Sequence, residues 1–463
     1  VNINSVDRIY FVGIGGIGMS ALARYFHSLG KRVAGYDRTP GPITSKLMEE
    51  GIYVHFSEDS DEIPKEFRNS PESTLIIYTP AIPNKHGGYN YLKNNGFQIF
   101  KRSEILGQIT SNYHSIAVAG THGKTSVSTT VAHLLKQSPL DCLAFLGGIS
   151  RNYSSNLILP EHPGFESKLA VVEADEFDRS FLKLSPSIAL ITSMDADHLD
   201  IYENKTNLVD SFNQFVKKIE PKGKIIYKKG LTLAYENMPK EHYTYSLLEE
   251  ADFYAINLKM DIKGCYQFDL VTPFGIIKEL KSGIAGKTNA ENAVAASSLA
   301  FMAGLDESYI RKNLATFEGV ERRFDFQINT GDLIYVDDYA HHPEELKAFI
   351  GSMRDLFPGK RITGVFQPHL FSRTRDFAIE FAKSLEMLDE LILLEIYPAR
   401  EEPIEGISSQ IVFEKVSIHS KSMCSLENLV HYLSTKKFEV LLTMGAGSIS
   451  QKVNDIKLML SRN

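Results

Sequence analysis

The pattern of an apolar run, a glycine-rich loop and a helix occurs twice in this chain, and that repetition commits it to parallel α/β folding. Arg8 to Val12 is a short apolar run, GIGGIG follows with Gly13, Gly15, Gly16 and Gly18, a helical pattern runs from Met19 to Leu29, and Arg32 to Tyr36 reads as the next strand. This is a βαβ unit with a G-x-G-x-x-G turn. Backbone amides at the helix start, aided by the helix dipole, favour a diphosphate there. Asp37, at the end of the second strand, is placed to bind a ribose hydroxyl. The loop reads a nucleoside diphosphate and does not by itself separate a nicotinamide dinucleotide from a UDP-sugar.

The second instance begins at Ser115, with IAVAG as the strand, THGK as the loop and TSVSTTVAHLLK as the helix. Across Gly120, Thr121, His122, Gly123, Lys124, Thr125 and Ser126, amides can cradle phosphate oxygens, Lys124 can neutralise charge and Thr125 can offer a hydroxyl to Mg2+. Val118 stands where the strict phosphate-loop pattern has its first glycine. Glu173 ends the strand pattern LAVVE, and His198 follows the strand pattern IALIT. Both belong at the carboxyl edge of the sheet with Thr125, where the three could hold one or two Mg2+ ions that bridge phosphate oxygens. A dehydrogenase has no use for a triphosphate loop. The two loops together therefore argue for ATP-driven chemistry on a nucleotide-linked substrate.

Further strand patterns, LIYVDDY, ITGVFQ, LILLEIY and VLLTMGAG, alternate with helical stretches such as Pro343 to Leu356. The expected fold class is α/β in three domains: an N-terminal Rossmann-like domain over 1–108, a central P-loop ATPase-like domain with a mostly parallel sheet over 109–320, and a C-terminal Rossmann-like domain over 321–463. The net charge of −7, with no block of like charge, suggests neither a nucleic acid nor a membrane partner. No segment approaches the roughly 18 consecutive apolar residues of a membrane span. The three cysteines, Cys142, Cys265 and Cys424, fit neither a disulfide framework nor a zinc-ligand spacing. With no secretory pattern at the amino terminus, the cytoplasm is the expected compartment.

The ordered set VGIGGIGMSALA, GTHGKTS, EADEFDRSFLKLSP, DHLDIY, NAENAVAA, RRFD, VDDYAHHPEE, FQPHLFSRTRD, EIYPAREEPI and GAGSI resembles the Mur ligase family along essentially the whole chain. Within that family, GIGGIGMS resembles the branch that adds alanine. The resemblance implies ATP-dependent amide formation in peptidoglycan precursor synthesis, UDP-N-acetylmuramate and L-alanine as substrates, Mg2+ with Mn2+ as a possible substitute, and a monomer or weak homodimer. It implies that the first loop binds UDP, the second binds the ATP phosphates, and the third domain closes over the site with the amino acid.

By motif match, Thr125, Glu173 and His198 become metal ligands, Asn289 and Asn292 candidates for adenine, and Arg323 and Asp338 candidates for the ATP ribose or phosphates. His341 is a candidate base, with orientation of substrate or a helix start before Pro343 as the alternative for His341 and His342. Arg373, helped by His369, is the candidate for the alanine carboxylate, with a surface pair to Asp376 as the alternative. Two positions depart from the family: Thr288 where a histidine is usual, and Leu370 where the alanine-adding branch usually has an arginine. Leu370 then either lines the methyl pocket or has turned away. The other readings are the family's tripeptide-recycling ligase and a nicotinamide-dependent oxidoreductase, which would give Lys124 no role.

Overall fold

The computed structural model describes residues 3, 6–83, 85–161, 168–196, 199–399 and 401–462. Among the described residues three sheets follow one another along the chain. The first holds β1 (Arg8–Val12), β2 (Arg32–Tyr36), β3 (Tyr53–His55), β4 (Thr74–Tyr78) and β5 (Gln98–Lys101), in the order β3-β2-β1-β4-β5 and parallel throughout. Ile9 and Phe11 of β1 pack into one core while Tyr10 and Val12 pack into another. Such two-faced burial is why the strand reads as an unbroken apolar run. The strand order reverses between β1 and β4, so a crevice opens at their carboxyl ends, where Gly13 and Thr79 lie.

The second sheet has ten strands: β6 (His114–Ala119), β7 (Leu143–Ser150), β8 (Ser155–Ile158), β9 (Leu169–Glu173), β10 (Ile188–Ile191), β11 (Lys224–Lys228), β12 (Glu241–Ser246), β13 (Phe253–Met260), β14 (Cys265–Thr272) and β15 (Gly275–Ala285). Their order is β15-β14-β13-β12-β11-β10-β6-β9-β7-β8. The run from β13 to β7 is parallel, and β8 returns antiparallel on β7. The third sheet holds β16 (Asp325–Asn329), β17 (Ile334–Asp338), β18 (Ile362–Phe366), β19 (Glu390–Leu393), β20 (Lys421–Met423) and β21 (Val440–Met444), in the order β16-β17-β21-β18-β19-β20, with only β16 antiparallel to its neighbour.

The chain forms two compact units. One comprises Val1–Ile256, Asp269–Leu280 and Ala293–Phe317, and the other Asn257–Phe268, Lys281–Asn292 and Glu318–Asn463. Both glycine loops therefore lie in the same unit. Among the described residues, no helix is long and apolar enough to cross a membrane.

Candidate active site

The first glycine loop leaves β1 at Gly13, whose φ of +91° lies in the region that favours glycine, and enters the helix Ile17–Ser28. The amides of Gly13 and Ile14 donate to the Tyr36 carbonyl at 2.8 and 2.9 Å, which ties the loop to the end of β2. Asp37 bends back over the loop, and its Oδ2 accepts the Gly15 amide at 2.7 Å. Its carboxylate thus shapes the loop. Across Gly18 lies Arg102, with Nη1 only 2.5 Å from where a Cβ would stand. Beside these groups is a cavity of about 240 Å3, lined among others by Gly16, Gly18, Thr79, Arg102, Gly147 and Glu173.

The second loop leaves β6 through Gly120, at φ +133°, and starts the helix Lys124–Lys136 behind Gly123, at φ +80°. A Cβ at Gly120 would stand 2.1 Å from the side-chain Oγ1 of Thr192 and 2.9 Å from the Ser193 amide nitrogen, so the chain just past β10 closes directly onto the loop. Ser193 and Asp195 continue that support. Ser193 Oγ accepts the His122 amide at 2.8 Å, Thr121 Oγ1 accepts the Asp195 amide at 3.0 Å, and the His122 ring lies 3.6 Å from the Asp195 carboxylate. Thr125 and Ser126 follow in the first helical turn, with Thr125 buried.

Lys124 Nζ donates to the Gly120 carbonyl at 2.6 Å and lies 2.9 and 2.7 Å from the two carboxylate oxygens of Glu176, a fully buried side chain. Burial pushes the Glu176 carboxyl up to about 7, against the opposing pull of Lys124. Burial likewise pulls the Lys124 ammonium down, but the charges of Glu176, Asp175 and Glu173 outweigh it and hold the group above its ordinary value. Glu173 ends β9 as expected, and its carboxylate packs over Gly147 of β7, where a Cβ would come within 2.1 Å of it. The hydroxyl of Thr125 and the carboxylate of Glu173 are hard oxygen donors, the type Mg2+ prefers. His198, the third expected ligand, lies outside the described residues.

The C-terminal unit assembles the remaining candidates. Asp338, at the end of β17, accepts the amides of Phe324 and Ala340, each at 2.7 Å, and burial pushes its carboxyl up to about 7 against the pull of Arg323. The Tyr339 ring has the guanidinium carbons of Arg322 and Arg323 at 5.0 and 4.9 Å. Arg323 lies 3.6 Å from Glu345, and Glu345 lies 3.1 Å from His341 Nδ1. The His341 ring meets that of His369 at 5.7 Å, and His369 Nδ1 is 3.4 Å from Arg373 Nη1. Arg323, His341, His369 and Arg373 are thus linked in one chain of contacts.

His342 instead caps the helix Pro343–Leu356, which fits the helix-start alternative for that residue. Asp376 is taken by Arg375 at 2.7 Å, leaving the buried Arg373 directed to His369. Leu370 is buried at φ +70°, and its amide donates to the Tyr397 carbonyl at 3.0 Å. Asn289 donates to the carbonyl of Ala285, the last residue of β15, at 2.8 Å, with Asn292 three residues along the helix Lys287–Met302.

Four further residues join these groups: Glu176, Arg102, Glu345 and Tyr397. Glu176 lies in the EADEFD run that carries Glu173, so an acid three residues past the strand end was the available signal. Arg102 follows β5 directly, at a strand end facing the same crevice.

The chain matches the models described as Mur ligase family, catalytic domain, over residues 8–114, Mur ligase middle domain over 118–300, and Mur ligase, glutamate ligase domain over 322–447. It is 49% identical to the UDP-N-acetylmuramate–L-alanine ligase of Parabacteroides distasonis, covering 100% of this chain and 99% of that protein. To the enzyme of the same name from Flavobacterium johnsoniae it is 46% identical, with 100% of each covered. Among solved structures it is similar to the UDP-N-acetylmuramate-alanine ligase of Thermotoga maritima, with a TM-score of 0.82, 25% identity, and coverage of 98% of this chain and 99% of that one. A murein peptide ligase from Psychrobacter arcticus shares the fold at 20% identity and a TM-score of 0.74, over 98% and 99% of the two chains. With three family models matched in order and near-half identity sustained from end to end, the chain belongs to the Mur ligase family.

Proposed function

We propose that the protein joins L-alanine to the carboxylate of UDP-N-acetylmuramate at the expense of ATP, through an acyl phosphate, in peptidoglycan precursor synthesis in the cytoplasm. One observation carries this reading: Gly16 and Gly18 of the sugar-nucleotide loop and Glu173 at the phosphoryl-transfer edge line a single cavity. A sugar acid anchored by its diphosphate at the first loop would extend its carboxylate toward the phosphate held at the second.

The chemistry follows from the weakness of a carboxylate as an electrophile. A carboxylate oxygen attacks the ATP γ-phosphorus, ADP leaves, and the acyl phosphate then accepts the alanine amine. Phosphate departs and an amide remains. Bringing a carboxylate to a polyphosphate is electrostatically unfavourable, and Lys124 offsets that repulsion once it turns from Glu176 to the phosphates. A bound Mg2+ supplies further charge neutralisation, with Thr125 and Glu173 as its oxygen donors and His198 as a third ligand by motif. In the C-terminal unit, Arg373 and His369 hold the alanine carboxylate, His341 takes the amine proton, and Arg323 and Asp338 serve the nucleotide. Asn289 and Asn292 are assigned to the adenine. The domains are assigned as 1–108 for the sugar nucleotide, 109–320 for ATP and 321–463 for the amino acid.

The test is phosphate release with UDP-N-acetylmuramate and, in turn, L-alanine, L-serine, glycine and the recycled tripeptide. L-alanine should be fastest. A preference for the tripeptide would move the chain to the recycling branch, and amino-acid-independent release would sink the ligase reading.

A further inference from the structure

One buried amide ties the first glycine loop to the second sheet. Asn156 of β8 is fully buried, and its side chain is spent entirely on the helix Ile17–Ser28 that follows the loop. Its Nδ2 donates to the Ile17 carbonyl at 2.5 Å and to Ser20 Oγ at 2.9 Å, both in the first turns of that helix. Its Oδ1 accepts from Arg24 Nη1 at 2.5 Å, and Arg24 Nε is held in turn by Glu50 at 2.7 Å. The side chain of an asparagine offers two donor hydrogens and one carbonyl oxygen, and here all three go to one helix.

The other strand of the same hairpin, β7, carries Gly147, over which the Glu173 carboxylate packs. Phe145 of β7 meets Tyr25 edge-on, with ring centroids 5.4 Å apart. A single β-hairpin therefore grips the diphosphate helix and backs the carboxylate at the transfer edge. The turn through Gly13, Ile14 and Gly15 is shaped by Tyr36 and Asp37, and Asn156 holds the loop only at Ile17, where the helix begins.

We propose that Asn156, clasped to Arg24, is a positioning residue that fixes the distance between the sugar-nucleotide loop and the phosphoryl-transfer edge; this rests on the function proposed above. Reaction between two bound groups is steeply sensitive to alignment, and a displacement of about 1 Å can cost on the order of a hundredfold in rate. Loss of the clasp should leave both binding sites intact and misalign what they hold.

In the full-length protein, Asn156→Ala should lower kcat roughly tenfold to a hundredfold. The Kd values for UDP-N-acetylmuramate and for a non-hydrolysable ATP analogue, measured by calorimetry, should stay within about threefold, because the Gly13–Gly15 turn is held by Tyr36 and Asp37 and the second loop by Thr192 and Ser193. Arg24→Ala should give the same split, and the double variant should be no worse than Asn156→Ala alone, because the two side chains act as one unit. If Asn156→Ala does not fold, Asn156→Ser and Arg24→Lys carry the comparison. An unchanged kcat, or a sugar-nucleotide Kd that weakens in step with kcat, would overturn the proposal.

A second readout is independent of turnover. Nitroxides on Ser45→Cys and Glu236→Cys, with Cys265 and Cys424 replaced by serine, should show a wider distance distribution once Asn156 becomes alanine. An unchanged distribution would also overturn the clasp. Absence of amino-acid-dependent phosphate release in the wild type would remove the proposed function while these distances still decide the clasp.

Discussion

The two glycine loops share one plan and differ in charge. Each joins a parallel strand to a helix start, and each turns through a positive-φ glycine, Gly13 in one and Gly120 in the other. The first contains no cation, and its shape is fixed by a carboxylate, Asp37, on the Gly15 amide. The second places Lys124 at the first helical position and balances it with the buried Glu176. A static cradle suits a diphosphate that stays bound and unchanged. A loop whose lysine is held on a carboxylate of raised pKa suits a phosphate that arrives, reacts and leaves. The difference in charge is thus a difference between anchoring and catalysis.

The largest expected effect tests that division. Lys124→Ala should lower phosphate release by about a thousandfold while the calorimetric Kd for UDP-N-acetylmuramate stays within about twofold. Equal loss of both would break the comparison between the loops. Glu173→Ala should cost on the order of a hundredfold, with partial recovery in excess Mg2+, and wild-type turnover in that variant would remove Glu173 as a donor.

A smaller effect belongs to the C-terminal unit. Arg373→Ala should raise the alanine KM roughly tenfold to a hundredfold, the equivalent of losing about 1.5 to 3 kcal/mol from a charge-assisted hydrogen bond, with little change for ATP. An unchanged alanine KM would place the carboxylate elsewhere.

The smallest effect sharpens the contrast in charge. The Glu176 carboxyl already stands at about 7 with Lys124 beside it. Moving Lys124 to a phosphate removes the interaction that lowers this value, so it should rise further and Glu176 should bind a proton. Nucleotide binding at pH 7.5 should therefore take up a fraction of one proton, read from calorimetry in buffers of different ionisation enthalpy, and Glu176→Gln should abolish the uptake. The same raised value sets the sign for stability. The unfolded chain ionises this carboxyl first, so its contribution is complete below pH ~4.3 and fades as the pH climbs to about 7. Asp338, also raised to about 7 by burial, gives the C-terminal unit the same sign.

The parts legible in the sequence were those buried on both faces. β1, β2 and β9 end where their apolar runs end, because each run is enclosed by helices or by neighbouring structure on both sides. β13 to β15 carry mixed, half-exposed patterns, and their apolar residues do not stand out from a loop. The two loops were legible because phosphate binding demands glycine at fixed offsets, and both lie between the expected strand and helix. Side-chain direction was not. EADEFD offers four acids, and only the path of the backbone beyond β9 turns Glu176 inward to Lys124. In FSRTRD either arginine could have taken Asp376, and the short helix Phe371–Asp376 gives it to Arg375. Leu370 is buried at the start of that helix and holds the chain turn rather than a charge.

The central claim is that the carboxylate bound at the first loop attacks the phosphate bound at the second, and oxygen labelling tests it most directly. With both carboxylate oxygens of UDP-N-acetylmuramate replaced by oxygen-18, one labelled oxygen should leave in each inorganic phosphate when L-alanine is ligated, and the other should remain in the amide. Released phosphate free of label, with the same amide formed, would mean that the carboxylate never attacked phosphorus and would contradict the two-loop mechanism.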